Sequence, residues 1–318
     1  MALPAFALDN SECFDCHEDD SMVKTDAKGN DVSLYVNADA FGASIHGKNL
    51  CTSCHGEITE LPHPDAFSAK PVLCSKCHRV ESDIYMKSDH GQSIHNGVSE
   101  AASCKDCHGH SHTLLNYRDP KSPVNRTNIP DTCGQCHGKV EEMEKYHLRQ
   151  SGVVDAYNKS VHGLAHIKGL ANAAVCTDCH GSHDLHRGTN LDSKLYWQKI
   201  PGTCGKCHEN VLATYTRSVH GKAVASGIRD APVCTDCHGE HTTSGIQQAA
   251  SKVAAAHIPE TCGQCHGSDR IAKRNQLAVG VVDTYMKSFH GLAQQIGGMN
   301  VANCASCHGF HDILPSTD

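Results

Sequence analysis

Residues 157–183 read YNKSVHGLAHIKGLANAAVCTDCHGSH and contain the elements that recur along the whole chain. Their last part includes Cys176–His180, a Cys-x-x-Cys-His motif. This motif occurs ten times in 318 residues and accounts for all 20 cysteines. The copies are Cys13–His17, Cys51–His55, Cys74–His78, Cys104–His108, Cys133–His137, Cys176–His180, Cys204–His208, Cys234–His238, Cys262–His266 and Cys304–His308.

The motif is typical of covalent haem attachment. Its two thiols form thioether bonds to the two vinyl groups of one haem, and the adjacent histidine becomes an axial iron ligand. A disulfide framework or structural zinc would not require a histidine after every second cysteine. A thioredoxin-like redox motif would occur once per unit. The sequence therefore predicts ten covalently attached haem c groups.

The predicted attachment residues follow directly from the motifs. The thioether cysteines are Cys13, Cys16, Cys51, Cys54, Cys74, Cys77, Cys104, Cys107, Cys133, Cys136, Cys176, Cys179, Cys204, Cys207, Cys234, Cys237, Cys262, Cys265, Cys304 and Cys307. The axial motif histidines are His17, His55, His78, His108, His137, His180, His208, His238, His266 and His308. No catalytic residue is predicted.

The composition supports a haem-filled interior. Only 39% of the residues are hydrophobic, and this figure includes the cysteines. A chain of this length normally buries roughly three quarters of its unfolded surface. Ten porphyrins would supply the missing core, and glycines would let the backbone approach their flat faces. The best helix candidates are Glu141–Tyr157 and Arg270–Tyr285, which lack strong helix breakers except one glycine in each.

Two levels of repetition organise the chain. An aromatic-x-x-Ser-x-His-Gly segment lies between the motifs of each two-haem unit, and a four-haem cassette recurs after about 130 residues. The segments are Phe41–Gly47, Tyr85–Gly91, Tyr157–Gly163, Tyr215–Gly221 and Tyr285–Gly291. We predict a two-haem unit at residues 1–66, a first four-haem cassette at 67–196 and a second at 197–318. The repeated tyrosines are expected to pack on porphyrins.

The repeats also nominate the sixth iron ligands, called distal ligands below. Five lie in the Ser-x-His-Gly segments and three follow their own motif histidine by three residues, which is too close for them to bind the same iron. His63 is the nearby candidate in the first unit, and alignment favours His112 over His110 in the second. The ten predicted distal ligands are His46, His63, His90, His112, His162, His183, His220, His241, His290 and His311. The other histidines outside the motifs have no counterpart in the sister cassette.

On these motifs the chain resembles the bacterial multihaem cytochrome c superfamily. Its layout is also similar to that of periplasmic decahaem cytochromes that sit in outer-membrane porin conduits. The resemblance implies short α-helices and irregular loops with almost no β-structure, in an elongated chain of five two-haem units around packed haems. The Ser-x-His-Gly segments and the tandem cassette depart from the conduit layout.

Location and partners follow from the same interpretation. Haem c is attached outside the cytoplasm, and Ala5-Phe6-Ala7 resembles the end of a signal-peptide cleavage site without its basic and long apolar regions. We expect a periplasmic or extracellular protein with no membrane span. The formal charge of −7 becomes more negative once haem propionates are counted, which argues against nucleic acid and favours partners with basic docking faces. Expected partners are a membrane quinol-oxidising complex and a downstream cytochrome or reductase.

The expected function is electron transfer through low-potential haems with two histidine ligands each, without substrate chemistry. Such irons have no open position, and methionine ligation, which raises the potential, does not follow the repeat. One alternative is a nitrite, hydroxylamine or tetrathionate reductase with one open iron, expected at the first or second unit. The other alternative is a subunit of an extracellular haem filament. Saturated low-spin haem would favour the carrier, substrate-dependent reoxidation the reductase, and concentration-dependent fibres the filament.

Overall fold

The computed structural model describes residues 8–26, 29–64, 67, 69–146, 152–298 and 301–315. Short helices joined by irregular loops make up this part of the chain. The helices are α1 Asn10–His17, α2 Ala38–Ala43, α3 Cys51–Cys54, α4 Arg79–Tyr85, α5 Asp89–His95, α6 Cys104–His108, α7 Ile129–His137, α8 Val140–Lys145, α9 Val153–Lys159, α10 Val161–Ile167, α11 Cys176–His180, α12 Ile200–Gly205, α13 Glu209–Arg217, α14 Val219–Ala225, α15 Cys234–His238, α16 Ile258–His266, α17 Asp269–Arg274, α18 Val281–Lys287, α19 Phe289–Gln295 and α20 Cys304–His308.

Other regular structure in the described residues is limited to three-residue elements. Two 3-10 turns cover Cys74–Lys76 and Trp197–Lys199. Strands β1 (Val23–Thr25) and β2 (Asp31–Ser33) form an antiparallel pair. The expectation of short helices with almost no β-structure is confirmed.

The two long helix predictions fare differently. Arg270–Tyr285 was expected to be one helix, and this is wrong. Helix α17 ends at Arg274, and α18 begins only at Val281. Gln276 and Gly280 between them have φ values of 57° and 77°, and these left-handed conformations cannot continue a right-handed helix.

The Glu141–Tyr157 stretch contains α8 and α9, but its middle lies outside the described residues. The predicted cleavage-site resemblance at residues 5–7 also lies outside them. Among the helices described, none is both long enough and apolar enough to cross a membrane.

The chain divides into two compact units, Met1–Thr132 and Cys133–Asp318. In the unit Met1–Thr132, Asn10 at the start of α1 binds the backbone at the start of the next motif, donating to Asn49 O (2.9 Å) and accepting from Cys51 N (2.7 Å). In the unit Cys133–Asp318, a small apolar cluster is formed by Ile200, Val224 and Val233. The proposed division at residues 66 and 196 follows sequence repeats and stays a prediction.

Candidate haem-binding sites

The Cys-x-x-Cys-His motifs form single helical turns, most clearly in α6, α11, α15 and α20. In α11, the carboxylate of Asp178 accepts a hydrogen bond from Val175 N (2.7 Å), which satisfies a free amide at the helix start. Gly181 follows the motif histidine with a φ of 88°, and Gly109, Gly239 and Gly309 have the same left-handed turn at the ends of α6, α15 and α20. Both cysteines and the histidine are thus presented on one turn, and the chain then leaves it abruptly.

The aromatic-x-x-Ser-x-His-Gly segment is a backbone clamp that positions its histidine. In the fourth copy, Ser218 caps α14 by accepting from Gly221 N (3.1 Å), and it donates to Tyr215 O (2.7 Å). The Tyr215 hydroxyl donates to Pro232 O (2.8 Å), just before the next motif. A Cβ on Gly221 would collide with Tyr215 O. The tyrosine, the serine and the glycine of this segment therefore each have a structural role.

The other tyrosine copies repeat this arrangement. The hydroxyls of Tyr85, Tyr157 and Tyr285 donate to the carbonyls of Ala102, Ala174 and Ala302, each seventeen residues later. Sequence reasoning proposed porphyrin packing for these tyrosines and missed the clamp. The constant spacing to the next motif was the signal that could have revealed it.

Seven of the motif histidines face a predicted distal histidine. An imidazole nitrogen binds a first-row metal at about 2.0 Å and lies roughly 1.1 Å from its ring centre, so two imidazoles on opposite sides of one iron have centres about 6.2 Å apart. The observed centre separations are 5.8–6.3 Å. The pairs are His17–His63, His46–His78, His55–His112, His162–His208, His180–His241, His220–His266 and His238–His311.

The structure distinguishes several individual candidates. His112 faces His55, while His110 only contacts His112 at 5.3 Å. His63 faces His17 in the first two-haem unit, which is one of the two units where the reductase alternative would place an open iron. The remaining predicted ligands fall into two groups. His90, His108, His137 and His183 have interaction partners in the structure, whereas His290 and His308 have no facing imidazole among the described residues.

Burial favours the neutral, metal-binding form of seven of the paired imidazoles. Desolvation is the main cause that lowers the pKa of these seven and of His137, which is in no pair, and it lowers that of His180 to about 4. The others are His112, His137, His162, His220, His238, His241 and His266. A neutral imidazole has a free nitrogen lone pair, so it can ligate iron without first losing a proton.

The first cysteines of the two motifs in each two-haem unit are neighbours. A thiol–thiol hydrogen bond raises the pKa of Cys133, the donor to Cys176, and lowers the pKa of Cys204, the acceptor from Cys234, to about 7. The five neighbouring pairs are Cys13 and Cys51, Cys74 and Cys104, Cys133 and Cys176, Cys204 and Cys234, and Cys262 and Cys304. None of these contacts is a disulfide.

A second contact joins the distal-histidine segments of successive units. Val219 N, directly before His220, donates to Ile313 O, two residues after His311 (2.9 Å). Two further copies of this bond are Val161 N to Thr243 O (2.8 Å) and Ile45 N to Leu114 O (2.9 Å). Distal ligands for the second motif of one unit and the first motif of the next thus lie on hydrogen-bonded segments.

The residues fit haem rather than a bare metal ion. Among the described residues, no group of three or more His, Cys, Asp or Glu is placed so that it could hold a metal ion. The polypeptide exposes 21303 Å², whereas a compact protein of its mass would expose about 12,900 Å². Only ten hydrophobic residues in the described part are buried. A large apolar cofactor between the facing imidazoles would supply the missing core.

Comparison with known proteins points to the same chemistry. Residues 189–267 match the family described as cytochrome c7 and related cytochrome c. The chain is 25% identical over 214 residues to the multiheme cytochrome MtrA of Shewanella baltica (strain OS185). This match covers 64% of the chain but only 56% of that relative's length. No solved structure matches the chain.

Proposed function

Because this chain belongs to the multihaem cytochromes c, we propose that all ten motifs bind haem c and that the chain transfers electrons along these haems. The observation that supports this most directly is the set of seven imidazole pairs at the spacing of two axial iron ligands. When bound, each haem supplies an iron that alternates between ferric and ferrous states. In the seven observed pairs, the two histidines would hold that iron between them.

Two histidine ligands suit outer-sphere electron transfer. They leave no position for substrate on the seven paired irons, and they impose little change of geometry when the oxidation state changes. Histidine without methionine ligation also gives low reduction potentials. His90 and His183 occupy the same positions in the sequence repeat as the paired distal histidines, so they are proposed as further distal ligands.

The haem order is proposed to follow the motif order within each compact unit. In Met1–Thr132, neighbouring cysteines link haems 1 and 2 and haems 3 and 4, and the Ile45–Leu114 hydrogen bond links haems 2 and 3. In Cys133–Asp318, the same two kinds of contact alternate from haem 5 to haem 10. Successive haems whose attachment cysteines or distal-histidine segments are in contact are close enough for rapid electron tunnelling.

The partners are proposed to be other redox proteins outside the cytoplasm. Haem attachment requires export, and no described helix could supply a membrane span. A quinol-oxidising membrane complex would deliver electrons, and a cytochrome or reductase would accept them. The negative charge of the chain and its propionates would steer both partners through basic faces.

Haem counting and electron paramagnetic resonance of the oxidised holoprotein test this proposal. We expect ten haems per chain by mass. His220→Ala should convert one low-spin haem to high-spin relative to the wild type, because His266 would lose its facing imidazole. His95, an exposed residue of α5 outside the pairs, provides the matched control His95→Ala. Fewer than ten haems, or equal spectra for both variants, would contradict the proposal.

The same preparation separates the other functions. Substrate-dependent reoxidation at rates that match turnover would favour a reductase. Fibres that form with rising concentration would favour a filament subunit.

A further inference from the structure

In four of the five two-haem units, one backbone carbonyl ties the second motif to the tyrosine clamp. In the fourth unit, the Tyr215 hydroxyl donates to Pro232 O, which lies two residues before the motif cysteine Cys234. We call the carbonyl at this position the anchor carbonyl. The tyrosines of the second, third and fifth units bind the anchor carbonyls of Ala102, Ala174 and Ala302, two residues before Cys104, Cys176 and Cys304.

The first unit lacks the tyrosine that would supply this bond. Phe41 occupies its place in the repeat, and phenylalanine has no hydroxyl to donate. The spacing differs as well, because Phe41 precedes Cys51 by ten residues, whereas Tyr215 precedes Cys234 by nineteen. The anchor carbonyl of the first unit, Asn49 O, therefore needs a donor from another part of the chain.

The side chain of Asn10 supplies that donor. Its Nδ2 donates to Asn49 O at 2.9 Å, and its Oδ1 accepts from Cys51 N at 2.7 Å. One amide thus satisfies both a donor and an acceptor of the backbone where the second motif begins. Asn10 is the first residue of α1 and stands three residues before the motif cysteine Cys13. In this unit, the second motif is therefore tied directly to the helix that holds the first.

Helix α1 also supports the distal ligand of the second motif. Phe41, only 8% exposed, packs edge-on against Phe14 of α1 with ring centres 6.1 Å apart. It makes the same kind of contact with His112, at 6.3 Å. His112 in turn faces the motif histidine His55. The attachment turn is thus held by α1 directly, and the distal ligand is held through one ring.

From this replacement of one donor by another, we infer that Asn10 is the positioning residue for the second haem. It fixes the orientation of the Cys51–His55 turn relative to the haem that α1 carries. The rings of His55 and His112 make an angle of 45°. In a ferric haem with two histidine ligands, this angle sets the splitting of the iron d orbitals and with it the g values. The inference rests on the proposed haem loading.

Electron paramagnetic resonance of the oxidised holoprotein, with haem content measured first, tests the inference. Asn10→Ala should keep the wild-type number of low-spin haems but shift the g values of one low-spin signal. Helix α1 should still form, because alanine favours a helix and the capping box of Asp9 and Glu12 is unchanged. Asn49→Ala is the matched control, since it removes an exposed amide and keeps the anchor carbonyl. It should leave every g value unchanged.

Removal of the second haem locates the effect. In the background Cys51→Ser/Cys54→Ser, Asn10→Ala should change no remaining signal. Tyr215→Phe, which removes the equivalent bond in the fourth unit, should shift a different signal. Asn10→Asp keeps the acceptor for Cys51 N and loses the donor to Asn49 O, so it should give a smaller shift. This variant carries the comparison if Asn10→Ala does not load the second haem.

Two results would overturn the inference. One is a spectrum of Asn10→Ala, or of Asn10→Asp in its place, that equals that of Asn49→Ala. The other is a shift that persists after the second haem has been removed. A haem count below ten in the wild type would instead identify a failure of the proposed function.

Discussion

Substitution of Gly221 by alanine should displace a distal ligand. Its α-carbon lies against the Tyr215 carbonyl, and an added Cβ would stand 2.8 Å from Thr216 Cα. To reach normal contact, the start of α14 would have to retreat by roughly 0.5–1 Å, at a cost of about 1–3 kcal/mol. Metal–ligand distances tolerate only about 0.2 Å, so His220 would leave the iron of His266.

Gly202 supplies the control, because a Cβ there meets nothing within 4 Å. Gly202→Ala should be neutral or should stabilise the protein by up to about 1 kcal/mol, since alanine favours a helix over glycine. Denaturant unfolding of the holoprotein and spin counting would compare the two variants. Gly221→Ala should be less stable and should contain one additional high-spin haem. Equal stability and equal spin counts would refute the clamp as the device that positions His220.

Two further predictions concern hydrogen bonds and charge. Tyr215→Phe should destabilise the holoprotein by about 1 kcal/mol in denaturant unfolding, because the Tyr215 hydroxyl donates to a carbonyl seventeen residues later. The control Tyr117→Phe, at a 58% exposed site, should lower the unfolding free energy less. An equal loss in both variants would argue against the clamp. The hydrogen bond from Asn275, followed by the charge of Arg274, holds the pKa of Asp230 below its usual value. This carboxylate therefore contributes stability above its unfolded pKa, near 3.9, and the contribution disappears as pH falls through the lower folded pKa. Asp230→Asn should accordingly lower the Tm at pH 7 more than at pH 3, and an equal shift at both values would contradict the prediction.

The attachment chemistry could be predicted from the sequence because it is local. Two cysteines and a histidine within five residues occupy one turn, whatever the rest of the chain does. The Asp178 cap and the left-handed Gly181 complete that turn from neighbouring residues. Repetition then gave the number of sites and the candidate distal histidines without any tertiary information.

The assignment of each distal histidine to a particular iron required the tertiary structure. A second axial ligand must approach from the opposite face of the porphyrin, so it comes from a distant part of the chain. His180 faces His241, 61 residues later, and only the packing of successive units brings the two together. Alignment within the sequence already favoured His112 over His110, but only this packing brings His112 opposite His55.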